Sequence, residues 1–269
     1  MLSWIRFSSI TLLFCALLVL PLQAQSTEQL QVGPPPMHRA EPPAPGVSPE
    51  ELERRGDELR MDKNWLDAVD YYQAALKGAP GSASLFRKIG ICQLQMQRYK
   101  EARKSFERAI RVDRKDAISY NNLGVVYYEL RNYNAAIKHY QKAISIDDSA
   151  ASYYNNMGAA YFGKKQFDKG DQSYSKAMEL DPDIFEHTSR GGVQAQLPSP
   201  EDQARYDYVL AKLYAKTGDQ ERSLHYLKKA MEEGYKDIKN VYKDNEFSTL
   251  RKDPRFAELM ATKTLAIPD

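Results

Sequence analysis

Residues 117–150 read AISYNNLGVVYYELRNYNAAIKHYQKAISIDDSA, and the order of large and small residues within them decides the fold. Tyr120, Leu123, Gly124 and Tyr127 recur at helical spacing. A polar break, Leu130-Arg131-Asn132-Tyr133, interrupts them, and Ala136, Tyr140 and Ala143 resume the period on a second segment. Two such segments joined by a short turn make a helical hairpin. The flanking chain repeats the pattern. Written in rows of 34 residues from Pro49, Ala83, Ala117 and Ala151, the same residue types fall in the same columns without a gap. Row four supplies Tyr154, Met157, Gly158, Tyr161, Phe167, Gly170, Tyr174, Ala177 and Pro182. Row two supplies Phe86, Ile89, Gly90, Tyr99, Ala102, Phe106 and Ala109. Row one diverges most, with Leu52, Gly56, Leu59, Trp65, Ala68, Tyr72, Ala75 and Pro80.

The small residues Gly90, Gly124 and Gly158, with Ala102 and Ala136, mark where the two helices of a hairpin cross closely. Aromatic columns fill the space between neighbours. A single hairpin cannot bury its own apolar face, so stacking supplies the stability, and the expected architecture is a curved all-α solenoid. These columns resemble the tetratricopeptide repeat, whose pattern is W-x2-L-G-x2-Y, A-x3-F, A and P. The resemblance implies an all-α tetratricopeptide-repeat solenoid of antiparallel helical hairpins, four of them over residues 49–184.

Departures from the pattern carry their own expectations. Arg55 in an apolar column suits a terminal unit with one side in water, while Gln93 for Tyr and Gly170 for Ala should loosen their hairpins. Ser48-Pro49-Glu50-Glu51 is a capping box at the start of the array. Residues 185–200, with Arg190-Gly191-Gly192, break the register as a linker. Ser199-Pro200-Glu201-Asp202 then repeats the capping signature before a fifth, weaker hairpin over 201–236. The remaining residues, 237–269, look like the closing motif found after such repeats, with Phe247, Leu250, Phe256 and Leu259 covering the open apolar end as a cap.

The ends address the compartment. Arg6, the apolar run from Ile10 to Leu20 and the small Ala24 form the three parts of a secretory signal over residues 1–24. An uncleaved anchor over 4–22 is the alternative; in either case the body is expected outside the cytoplasm, periplasmic or secreted. Cys15 lacks the flanking residues of a lipidation site, which leaves Cys92 as the single thiol of the mature chain, a buried apolar residue. Residues 25–48, with Pro34-Pro35-Pro36, Pro42-Pro43 and Pro45, read as a proline-rich disordered spacer. The 269 residues hold 38 Lys plus Arg against 36 Asp plus Glu, a formal charge of +2. That balance gives no strong reason to expect nucleic acid or an anionic membrane surface as the main partner, leaving an uncleaved signal anchor as the one expected link to a membrane, and 42% hydrophobic with 28% charged residues excludes wholesale disorder.

No catalytic constellation stands out. His38, His139, His187 and His225 are scattered without metal-ligand spacing, and no phosphate loop, nucleophile elbow or CxxC is present, so neither an enzyme nor a metal or other cofactor is expected. In the repeat family the first helix of each hairpin lines a concave groove. The matching columns here place Arg87, Asn121, Asn122, Val125, Tyr128, Asn155, Asn156 and Phe162 in a polar and aromatic trough suited to a protein segment or extended peptide. Carboxamides complement backbone amides; alternatively, asparagine in these columns bonds the adjacent hairpin. The two-carboxylate clamp of some relatives is missing, because Ile91 and Ser152 occupy places that need Asn and Lys. The resulting expectation is an exported, peptide-binding scaffold or assembly factor in a bacterial envelope. A self-associating structural protein is the alternative.

Overall fold

A computed structural model describes residue 38, residues 40–186 and residues 199–262. The signal segment, most of the proline-rich stretch, and the part of the linker holding His187 and Arg190-Gly191-Gly192 lie outside the described residues. Residues 36–269 form one compact unit.

The described chain is helical and carries no strand. Eight helices form four hairpins: α1 (Pro49–Met61) with α2 (Trp65–Gly78), α3 (Ala83–Gln95) with α4 (Tyr99–Val112), α5 (Ala117–Glu129) with α6 (Tyr133–Ile146), and α7 (Ala151–Gly163) with α8 (Phe167–Leu180). A fifth pair, α9 (Pro200–Thr217) and α10 (Gln220–Glu232), follows. Short 3-10 turns (Ile238–Tyr242, Asn245–Ser248, Leu250–Lys252) and α11 (Pro254–Ala261) close the chain. Each second helix also packs on the first helix of the next hairpin from α2 to α7, so the array is the stacked-hairpin solenoid expected from the repeat.

Local chemistry sets the helix ends. Ser48 accepts from the Glu51 N–H with Pro49 at the first helical position. Ser82, Asp116, Asn132, Ser199 and Asp219 cap α3, α5, α6, α9 and α10 in the same way, each satisfying an otherwise orphaned N–H. Inside the first four hairpins the turn passes through a left-handed residue, Lys63, Gln97, Arg131 or Lys165, none of them glycine. The bonds from Asn64 N to Leu59 O at 2.8 Å and from Asn132 N to Tyr127 O at 2.8 Å hold such turns shut.

The repeat's glycines work by proximity. A Cβ on Gly124 would stand 2.5 Å from Tyr140 Cε1, and Gly56, Gly90 and Gly158 face Tyr72, Phe106 and Tyr174 in the same manner. All four rings are buried. The column therefore sets how closely the helices of a hairpin approach.

Two expected loose points are filled instead. Gln93 accepts a hydrogen bond from Ser105 Oγ at 2.7 Å, which ties α3 to α4. The methyl missing at Gly170 is replaced by the Phe162 ring, 2.4 Å from where a Cβ would lie. A further difference concerns the proline-rich stretch. Rather than standing clear of the body, its described end lies along α2: His38 Nδ1 is 3.1 Å from Asp67 Oδ1 and 3.3 Å from Asp70 Oδ2, and Tyr71 donates to the Glu41 carbonyl at 3.1 Å. Ala40 packs against the first core. Cys92 is buried in that core, where loss of hydration pushes its thiol up to about 12, so it is a packing residue rather than a nucleophile.

Candidate functional site

The eight residues read as a trough are brought together along α3, α5 and α7, but not as an open surface. Asn121, Asn122, Val125 and Phe162 have no exposed area, and Tyr128, Asn155 and Asn156 are buried as well. Asn156 and Arg87 bond across hairpins. Asn156 Nδ2 donates to Asn121 Oδ1 at 3.0 Å, and Asn121 Nδ2 donates to Asn122 Oδ1 at 3.3 Å, a ladder running from α7 to α5. Arg87 donates through Nη1 to Asp116 Oδ2 at 2.6 Å, and Asp116 in turn caps α5 through Ser119. The apolar members belong to cores. Val125 and Tyr128 sit in the central cluster with Tyr133 beside the Tyr128 ring at 5.4 Å. Phe162 is enclosed by Phe167, Tyr174 and Tyr206, with centroids 5.3 to 6.4 Å away.

Seven of the eight side chains are thus buried, with Asn156 and Asn121 bonding between hairpins as in the alternative reading, and Arg87 is half-buried. A buried carboxamide needs a partner, and the neighbouring repeat presents one a column away, Asn121 for Asn156; the stacking that makes the solenoid also consumes its asparagines. Burial pushes the Tyr128 hydroxyl far above its ordinary range, as expected of a core phenol.

Open space appears instead where the fifth hairpin joins the fourth. A cavity of about 480 Å³ lies among the turn before α8, the first turns of α9 and the turn after α10. Phe167 and Tyr235 supply apolar walls, and Lys165, Arg205, Glu201 and Glu233 supply charge. The Arg205 guanidinium rests on the Phe167 ring, 3.7 Å from its centroid. Its Nε is buried without a hydrogen-bond partner among the described residues. Lys165 Nζ contacts Asp202 Oδ1 at 2.5 Å, and Lys236 Nζ reaches Glu201 Oε1 at 3.4 Å, so two of the wall's cations are neutralised internally.

Behind the wall, Asp207 is fully buried and accepts from Gln203 Nε2 at 3.3 Å, with Lys229 Nζ 3.5 Å from its other oxygen. Loss of hydration and the Asp207 carboxylate together push Glu233 up to about 7. The cavity's size is that of a pocket able to enclose a small ligand or the side chains of a bound segment, and among the described residues no cluster of His, Cys, Asp or Glu is arranged to hold a metal ion.

Nothing in the linear pattern marks this site. Phe167 belongs to a repeat column, and Arg205 meets it only because α9 folds back on the fourth hairpin. The available hint was the break in register, which signals a seam unlike the others.

Family models support the repeat reading directly. Models described as tetratricopeptide repeat match residues 117–149, 151–184 and 204–233, and one described as TPR repeat matches 93–131. No curated protein matches the chain. Among solved structures, MamA 41-end from Desulfovibrio magneticus RS-1 superposes with a TM-score of 0.50 at 16% identity, covering 75% of this chain and 100% of that one. A thermophilic TPR protein of Thermus thermophilus gives 0.49 at 18% identity, covering 80% and 100%. A further MamA structure gives 0.47 at 23%, covering 68% and 96%. At these identities the likeness concerns the fold. The chain carries tetratricopeptide repeats, including one in the fifth hairpin.

Proposed function

We propose that this chain of tetratricopeptide repeats is a non-catalytic scaffold that captures a protein or extended peptide in a bacterial envelope. The observation that carries the reading is the cavity between the fourth and fifth hairpins. It combines two aromatic walls, an arginine held flat with an unpartnered Nε, and carboxylates at its rim. Aromatic and arginine side chains in partly desolvated pockets are the usual anchors of protein interfaces. Arg6 followed by the apolar run Ile10 to Leu20 supports export of the folded body.

The capture site is accordingly assigned to the fourth–fifth seam, with the asparagine ladder holding the repeats that present it. A photo-reactive phenylalanine analogue at position 235, and a control analogue at exposed Gln141 on α6, test the assignment in cells. A discrete cross-linked partner is expected from position 235 and lost on Arg205→Ala. Adducts from position 141 alone, or adducts from 235 that survive Arg205→Ala unchanged, would overturn it.

A further inference from the structure

The net charge of +2 conceals a strong local imbalance. On α4, Lys100, Lys104, Arg108 and Arg111 are spaced one helical turn apart along the exposed face. On α6, Lys138 and Lys142 occupy the same outward columns of the next repeat, and α6 contains no acidic residue. All six are exposed, and among the described residues none has a carboxylate within ion-pair distance. Glu107 on α4 sits by Arg103, at 3.6 Å, and Glu101 is the other acid of that helix.

Several cations elsewhere are paired. Lys88 bridges Glu53 and Asp57, Arg222 bridges Asp183 and Asp219, and Lys212 bridges Asp244 and Glu246. On α4 and α6, Arg108 lies over Phe86 and Lys142 over Tyr120, at 5.9 and 6.0 Å.

From this juxtaposition we infer that the outer face of α4 and α6 docks on an anionic lipid surface. The face lacks what a protein interface needs. Of the exposed large apolar side chains among the described residues, Val112 alone lies on these two helices, so no aromatic or aliphatic anchor is available. An attraction supplied by lysines and arginines alone suits a delocalised sheet of charge, where each contributes about fivefold in affinity. This inference is independent of the capture site, which lies on another part of the array.

The test is vesicle flotation of the chain begun at Gln25, which keeps the compact unit whole and removes the apolar run. Vesicles with about a third phosphatidylglycerol should bind at least about thirtyfold more tightly than pure phosphatidylcholine, and about 1 M salt should abolish the difference. The variant K100Q/K104Q/R108Q/R111Q/K138Q/K142Q should lose that preference while keeping its helical signal. The charge-preserving K100R/K104R/K138R/K142R should retain it, which separates loss of charge from loss of fold. Equal binding to neutral and anionic vesicles, an unchanged glutamine variant, or tighter binding to a polyglutamate peptide than to the anionic vesicles would overturn the inference, the last in favour of an acidic protein.

Discussion

The first four hairpins and the fifth solve the same packing problem with different residues. In the four, a glycine faces a ring: Gly56 with Tyr72, Gly90 with Phe106, Gly124 with Tyr140, Gly158 with Tyr174. In the fifth, the corresponding columns hold Ala211 and Leu227, both fully buried. An aliphatic chain leaves room for the methyl that a ring excludes. The turns differ in the opposite sense. Lys63, Gln97, Arg131 and Lys165 take left-handed backbone in the four, at φ near 60°, whereas Gly218 takes it in the fifth at 86°. The fifth hairpin is thus locally less strained, yet its first helix is the longest of the array and its seam holds the cavity. The repeat pattern specifies a crossing distance, which more than one pair of side chains can satisfy, and the freedom appears where the register breaks.

Interchanging the small-residue column should have the largest effect. Gly124→Ala puts a methyl 2.5 Å from a fully buried ring. The clash costs about 1–3 kcal/mol against a gain of roughly 1 kcal/mol in helix propensity, for a net loss of up to about 2 kcal/mol in denaturant unfolding. Ala211→Gly should lose about 2 kcal/mol, from propensity and from the buried methyl it removes, with no clash involved. A gain in stability for Gly124→Ala, as propensity without a clash would give, would remove the distinction between the hairpins.

A second prediction concerns pH at the fourth–fifth seam. Asp171 on α8 is pushed up to about 6, chiefly by burial, against the opposing pull of Lys212 and Arg205. Its folded pKa lies above the ordinary 3.8, so the folded state holds the extra proton in between. Stability is fully present below about pH 4 and falls as pH rises through about 6. Glu233, at about 7, acts in the same direction. Asp171→Asn should flatten the decline and raise stability at neutral pH by on the order of 1 kcal/mol, after allowance for the partial exposure of the site. Melting curves from pH 4 to 8 check it; a parallel pH profile in the variant would count against a titrating seam.

The smallest effects belong to the turns. Gly218→Ala forces a side chain into left-handed backbone and should cost about 1 kcal/mol. Arg131→Gly relieves the same strain and should gain about 0.5 kcal/mol once the added flexibility of the unfolded chain is subtracted. Thermal unfolding of the two single variants, with opposite signs expected, would sharpen the comparison.

Much of the fold was legible because each repeat encodes its own contacts. Tyr140 meets Gly124 inside one hairpin, and the caps at Ser48, Asp116 and Ser199 act on N–H groups three residues away. The candidate site was much less so. Column position places Asn121, Asn156 and Phe162 on first helices, but whether such side chains meet solvent or another repeat depends on how closely the hairpins stack and on what α9 brings over them. Phe162 is covered by Tyr206, a residue no repeat column predicts. Gln93 and Gly170 were misread for a related reason: a departure from consensus is visible in sequence, whereas the Ser105 hydroxyl and the Phe162 ring that compensate it are visible only in space.

By itself, the amino-acid sequence determined the helical hairpins, their register and their turns, because period, capping and small-residue columns act within a few turns of chain. Only the tertiary structure decided which polar side chains are consumed between repeats, where the cavity opens, and that six cations gather on α4 and α6, unpaired among the described residues, within a chain of almost balanced charge. Burial and electrostatic pairing are properties of surfaces that meet across long separations, and a one-dimensional pattern carries no distance between them.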